Sequence, residues 1–381
     1  MRSSNKLQTI LVGTALIGIM AAGCTMDAQS SSEPTSTASS ALTSGAAAFV
    51  WSNVITGSGN GVSDYNSSGG SILVTQVATG QYHVDFAGLA GSAGAGNVQV
   101  TANGSHGERC KVAGWGASGT ALRATVYCFT ATGAPLNSTF TASFVQRTDF
   151  PGAEGAYLWA YSPSSTSYTL SSSYQWNSAN AAMSITHTPG SGDYTVSLGG
   201  QNLGGGTVQV TAYGSDNAYC KVGGWGGTVD VRCFNGSNGQ PIDSAFTMIF
   251  DTKSPNNIPS YTYVWANQPT SASYQPSPSY EHGSLNTECG TSITEPNVTI
   301  GRISTGNYEI FFPGMASVTA NPDYVKVTGY GAGSDTCEVV AFSATGANAQ
   351  SFAQVQCTSA NGTPVDAFYT ITYSSFAYTL C

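Results

Sequence analysis

One segment of about 105 residues recurs three times in this chain of 381 residues, and that repetition restricts the fold more than any other feature. Trp51, Trp159 and Trp265 open the related runs FVWSN, YLWAY and YVWAN. Each is followed by a Gly-X-Tyr step: Gly80-Gln81-Tyr82, Gly192-Asp193-Tyr194 and Gly306-Asn307-Tyr308. Then come NVQVTANGS from Asn97, TVQVTAYGS from Thr207 and YVKVTGYGA from Tyr324. The runs CKVAGWG, CKVGGWG and CEVVAFS start at Cys110, Cys220 and Cys337. Pro135/Asn137/Phe140, Pro241/Asp243/Phe246 and Pro364/Asp366/Tyr369 close the units. A period this long exceeds that of solenoid repeats and matches whole domains. The reading is three tandem units at 48–150, 151–256 and 257–381, expected to behave as separate beads.

Within a unit the apolar period is two. In the first, candidate strands fall at 48–54, 71–77, 82–89, 97–103, 110–116, 123–130 and 140–145, rich in Val, Ile, Thr, Tyr and Phe and separated by Gly, Asn and Ser. No window carries a convincing helical stripe. The fold class is all-β, three antiparallel sandwiches or small barrels, with both architectures open at this level. Composition adds exclusions. Only 8% of residues are charged and the net charge is −9, so no basic surface exists to neutralise nucleic-acid phosphates.

Residues 1–23 read as an export signal: Arg2 and Lys6, then an uncharged apolar stretch from Leu7 to Met20. The Ala21-Ala22-Gly23-Cys24 that follows resembles the lipobox of bacterial lipoproteins, with Ala21 where Leu is usual. The resemblance implies cleavage before Cys24 and lipidation of its thiol. Thr25 in place of Asp implies an outer-membrane or cell-surface location. Residues 24–47, rich in Ser, Thr and Ala, lack any apolar period and read as a tether.

Of the nine cysteines, eight remain after Cys24, and export to an oxidising compartment makes them a disulfide set. Cys220 and Cys233 lie symmetrically about Gly226-Gly227, which places them opposite each other on a tight hairpin. Cys110 with Cys128 and Cys337 with Cys357 repeat the arrangement. Cys289 and Cys381 are left to pair with each other. No CxxC spacing supports zinc, and the four histidines do not align between units.

Strand parity puts Cys220, Val222, Val229, Val231 and Cys233 on the core face, with Lys221, Trp225, Arg232 and Phe234 opposite. In the first unit Lys111, Trp115, Arg123, Tyr127 and Phe129 match the second set, with Trp115 facing Arg123. These aromatics admit two readings. One is cation–π packing or a second buried face; the other is a ligand platform of Trp115, Trp225, Phe129 and Phe234. The third unit departs from the pattern, with Phe342 for Trp and Glu338 for Lys.

No hydrolase elbow, zincin, P-loop or dinucleotide fingerprint is present in the sequence. Among acids, only the Asn137/Asp243/Asp366 position recurs, placed as a turn residue that accepts a backbone bond. The pattern AYLWA…CKVGGWG…CFNGSNGQPIDS is similar to repeats of uncharacterised secreted proteins of soil bacteria, a resemblance that implies no activity or cofactor. The expectation is a non-enzymatic, lipid-anchored envelope protein for display, binding or adhesion. Its expected partners are the membrane, through the lipid, and a glycan or surface protein. A carbohydrate-binding or hydrolase-associated module and a structural spacer are the alternatives.

Overall fold

Alternating apolar and hydroxyl or amide residues produce strands throughout the computed structural model. It describes residues 45–146, 155–252, 260–286, 292–294, 297–313, 315, 323–345 and 350–375. The signal segment, Cys24, Cys289 and Cys381 lie outside the described residues. The first repeat supplies β1 (Ala46–Ser52), β2 (Ser58–Asn60), β3 (Ser63–Asn66), β4 (Ile72–Ala78), β5 (Gln81–Ala87), β6 (Asn97–Asn103), β7 (Arg109–Ser118), β8 (Ala121–Phe129) and β9 (Thr139–Gln146). The second supplies β10 (Gly155–Ala160), β11 (Ser167–Thr169), β12 (Gln175–Asn177), β13 (Ser184–His187), β14 (Asp193–Ser197), β15 (Thr207–Tyr213), β16 (Tyr219–Trp225), β17 (Val229–Phe234) and β18 (Ala245–Asp251). The third supplies β19 (Ser260–Ala266), β20 (Ser273–Tyr274), β21 (Glu281–Asn286), β22 (Ser292–Thr294), β23 (Thr299–Ser304), β24 (Asn307–Pro313), β25 (Asp323–Tyr330), β26 (Thr336–Thr345), β27 (Gln350–Thr358) and β28 (Phe368–Ser375). All seven strands expected in the first repeat are present, together with the short β2 and β3.

Each repeat is a sandwich with its own apolar core. In the first, Val50, Val98, Phe140 and Phe144 from the half-sheet β6-β9-β1-β3 pack on Val74, Val84, Phe86 and Val126 from β7-β8-β5-β4-β2. The Gly-X-Tyr step fixes the hairpin between the two central outer strands. Gly192 has φ +65°, and a Cβ there would sit 2.5 Å from the Cys233 carbonyl oxygen, so only glycine fits without displacement. The recurring acid or amide secures the same turn: Gly80, Gly192 and Gly306 donate their N–H groups to Asn137, Asp243 and Asp366 at 2.7, 3.1 and 2.9 Å. The bond ties the hairpin turn to the segment that leads into the last strand of the repeat instead of closing a local turn. The hydroxyls of Tyr82, Tyr194 and Tyr308 accept N–H bonds from Ser138, Ser244 and Ala367 beside it.

The repeats are not separate beads. Every sheet is made by two of them: β20-β23-β24-β27-β26-β6-β9-β1-β3, β12-β10-β18-β15-β7-β8-β5-β4-β2, and β11-β13-β14-β17-β16-β25-β28-β19-β21-β22. The five-strand half of repeat 1 continues into repeat 2, that of repeat 2 into repeat 3, and that of repeat 3 back into repeat 1. The result is a closed ring with pseudo-threefold symmetry, the single-chain counterpart of a cyclic trimer built from heterologous contacts. Each joint is a short parallel contact, Tyr213 beside Val112, Tyr330 beside Val222 and Asn103 beside Val339. One backbone bond marks each: Gly214 to Val112, Gly331 to Val222 and Gly104 to Val339, at 2.8–2.9 Å.

Polar side chains that look solvent-facing in the sequence are buried at these joints. All seven residues of β6 are buried. Gln99 donates to Thr247 at 2.9 Å and accepts from Thr211 at 2.9 Å. Gln209 repeats this with Thr370 at 3.0 Å and Thr328 at 2.7 Å. The buried Arg109 ties all three repeats together. It donates to the carbonyls of Gly236 at 3.1 Å and Ala360 at 3.0 Å, and its guanidinium lies 4.1 Å over the Tyr219 ring. Paired this way, the glutamine and threonine side chains avoid the cost of unsatisfied burial.

Candidate functional site

The hairpin disulfides pair as expected, Cys110–Cys128, Cys220–Cys233 and Cys337–Cys357, but the second hairpin closes through Gly226, Gly227 and Thr228 and not through a two-residue Gly226-Gly227 turn, since Trp225 pairs with Val229. Beyond them the expected register fails. A β-bulge lies between Val112 and Gly114, and another between Val222 and Gly224, so one extra residue enters the inner strand. Trp115 therefore faces Ala124, not Arg123, and Trp225 faces Val229. The shift moves both indoles from the lysine face to the core-side face, where they pack against the cores of repeats 1 and 2. Arg123 makes no pair with Trp115; its guanidinium donates to both Asp85 oxygens at 2.7 Å.

The four aromatics of the expected platform therefore do not form one surface. Phe129 and Phe234 are buried, at 7% and 6% exposure, and Phe234 stacks on Tyr219 at 5.6 Å. Trp115 and Trp225 are half-buried and lie in separate joints of the ring. At the joint of repeats 1 and 2, Trp115 meets Trp159 at 5.4 Å and Tyr213 at 5.8 Å, and Trp159 meets Tyr174 at 4.8 Å with the rings near perpendicular. Between repeats 2 and 3 the set recurs as Trp225, Trp265, Tyr330 and Tyr280, with spacings of 4.7–5.8 Å. Between repeats 3 and 1 the set is closed off. Phe342 packs on Trp51 at 4.8 Å, and Asn103, in the amide orientation that satisfies both of its ends, accepts the Trp51 indole N–H at 3.0 Å.

The first of these joints holds an open cavity of about 230 Å³, walled by Trp115, Trp159, Tyr174, Tyr213, Ser173 and the Ala93–Ala95 loop. No ionisable side chain other than the two tyrosines lines it. Burial raises the Tyr213 hydroxyl above its ordinary range, and Tyr174 adds to that, so the Tyr213 phenol stays a neutral donor at physiological pH. The volume lies below the ~300 Å³ typical of drug-sized sites and suits a single ring. Parity reasoning missed Trp159, Tyr174 and Tyr213 as partners of Trp115. The repeat alignment carried a trace of them, because Tyr213 and Tyr330 replace Asn103 at one position.

Several ionisable groups elsewhere are held in pairs. His187 is buried against the Tyr194 ring at 4.3 Å and bonds Asp243 at 2.8 Å, and Arg302 donates to Asp366 at 2.8–2.9 Å. Among the described residues no group of three or more His, Cys, Asp or Glu could hold a metal ion. Among them, no helix is long and apolar enough to cross a membrane. Compared with known proteins, the chain matches no family model, no curated protein and no solved structure.

Proposed function

We propose that this is a non-catalytic binding protein displayed at the bacterial cell surface, tethered by a lipid on Cys24, and that it takes its ligand in the aromatic cleft between repeats 1 and 2. The observation that carries the reading is the cleft itself: half-buried indole and phenol rings around an open volume of ring size, without a formal charge in its wall. Aromatic faces bind flat, weakly polar surfaces, and the neighbouring hydroxyls of Tyr174, Tyr213 and Ser173 offer directional hydrogen bonds. That combination favours a neutral sugar ring over a charged ligand, so the carbohydrate reading gains weight over a featureless spacer. Pairing of His187, Arg302, Arg123 and the buried lysines into structural contacts supports a binding role over acid–base chemistry.

The test is a glycan array followed by tryptophan-fluorescence titration of wild type and Trp115→Ala, with Cys24→Ala tracking attachment in cells. Saccharide binding in the wild type, lost in Trp115→Ala, and release of Cys24→Ala from the membrane fraction are expected. Saccharide binding that survives Trp115→Ala would move the ligand away from the cleft; unchanged membrane attachment of Cys24→Ala would remove the anchor.

A further inference from the structure

Each joint of the ring has an ionisable residue directly after the first hairpin cysteine, aimed at an acid of the next repeat. Lys111 donates to Asp216 at 2.6 Å, and Lys221 donates to Asp335 at 2.6 Å. At the joint of repeats 3 and 1 the same position is Glu338, and the acid it meets is Glu108. The joint that closes the ring thus sets a carboxyl against a carboxyl where the other two set an amine against a carboxylate.

Glu338 is 2% exposed. Its Oε1 accepts the Gly107 N–H at 2.6 Å, and its buried Oε2 receives no bond from an N–H or hydroxyl donor. Glu108 Oε2 accepts the His106 N–H at 2.7 Å, and its Oε1 lies 3.3 Å from His106 Nδ1. A carboxyl buried beside a second, half-buried carboxyl keeps its proton, because like charges so placed cannot readily both ionise. With that proton on Glu338, its hydroxyl is the donor and Glu108 the acceptor. Burial and the Glu108 charge hold Glu338 well above the usual carboxyl range. Burial also pushes Glu108 up, but the bond from Glu338 and the His106 N–H outweigh it and leave Glu108 low. Arg109 is close enough for its charge to interact with Glu338, and on β25 Asp323 accepts the Tyr373 hydroxyl at 2.7 Å. Arg109, beside Tyr219, donates to two carbonyls of the other repeats. β6 and β27 bring no ionisable group apart from disulfide-bonded Cys357. β25 brings Lys326, whose ammonium lies 5.7 Å from the Tyr324 ring centre.

We propose that the Glu108–Glu338 pair is a proton latch on the ring: the shared proton holds repeat 3 against repeat 1, and its loss opens that joint alone. The geometry places the latch one residue from the contact it secures, since Val339 pairs with Asn103 and accepts the Gly104 N–H at 2.8 Å. The other two joints connect repeats that are consecutive in the chain; this one is held by non-covalent contacts alone. In the open joint Glu338 meets water and titrates as an ordinary carboxyl. The closed joint therefore keeps a proton that the open one gives up. Closure is favoured at low pH and weakens as pH rises from the ordinary glutamate range through the raised Glu338 range, about tenfold per pH unit in that window. Glu108 acts oppositely: its contribution is present above the ordinary range and fades as pH falls through its lowered one.

Hydrogen exchange of the full chain, from about pH 5 to about pH 9 and corrected for the intrinsic pH dependence of exchange, tests this. Protection of β6 and β26 should fall by tenfold or more with rising pH relative to β15 with β7 and β25 with β16, which serve as internal controls. Glu338→Gln should flatten the profile, and Glu338→Lys, which recreates the amine–carboxylate joint, should keep protection at high pH. Equal pH profiles at the three wild-type joints would overturn the proposal without any variant. A wild-type profile retained in Glu338→Gln would overturn it too.

Discussion

Gly190 and Gly192 share one hairpin turn, both have positive φ (+83° and +65°), and both donate to Asp243. They differ in what surrounds them. A Cβ on Gly190 would meet nothing within 4 Å, whereas one on Gly192 would sit 2.5 Å from the Cys233 oxygen and 2.8 Å from the Ile242 nitrogen. Gly190→Ala should therefore cost only the left-handed backbone penalty, about 1–2 kcal/mol. Gly192→Ala incurs the same penalty and must also push apart two segments of main chain, an overpacking cost of about 1–3 kcal/mol. The expected gap between the variants is thus about 1–3 kcal/mol. Equilibrium guanidinium denaturation with disulfides intact reads it as a difference in midpoint at unchanged m-value. Gly306 makes the same approach, 2.5 Å to the Cys357 oxygen, and Gly80 approaches the Cys128 oxygen, so their alanine variants should match Gly192→Ala. Equal midpoints for Gly190→Ala and Gly192→Ala would refute the claim that close approach, beyond backbone handedness, selects glycine in this motif.

Asp335→Ala leaves the Lys221 ammonium, 1% exposed, without its acid and should destabilise the chain by about 3 kcal/mol. Lys221→Met, which removes the charge and keeps the volume, should cost much less in the same denaturation assay. Arg302 and the Gly306 N–H hold Asp366 below the usual carboxylate range despite some burial. Its contribution is therefore present above the ordinary aspartate range and lost as pH falls through the lowered one. Asp366→Asn should flatten the acid limb of Tm against pH, bringing repeat 3 to the state that Asn137 already gives repeat 1.

The strands and the hairpin disulfides were legible because both depend on neighbours in sequence. The cysteine spacing points to facing pairs, and the bulge between each pair and its turn offsets a turn centred half a residue away, as at Cys220 and Cys233. The bulges were not legible, since Ala113, Gly223 and Val340 share no residue type, yet each turns every later side chain on its strand to the other face. The ring was hidden for a related reason. A parallel contact of one residue pair leaves no periodic trace, and Gln99, Thr211 and Gln209 read as the wet face of an ordinary strand until two other repeats cover them. The cleft inherited both losses, because it needs the bulge to aim Trp115 and the ring to bring Trp159 beside it.

Covalent linkage changes what the ring can become. A homotrimer has one interface written three times, so any substitution there is felt at every copy and must suit itself. Here each joint has its own pair of sequences, and apart from a residue such as Arg109, which reaches all three repeats, a single change can be confined to one joint. The molecule shows the use of that freedom: two aromatic joints and one sealed by Asn103, two amine–carboxylate contacts and one where a buried glutamate takes the lysine's place. Symmetry supplies the scaffold, and its violation distributes separate tasks among positions that would otherwise be identical.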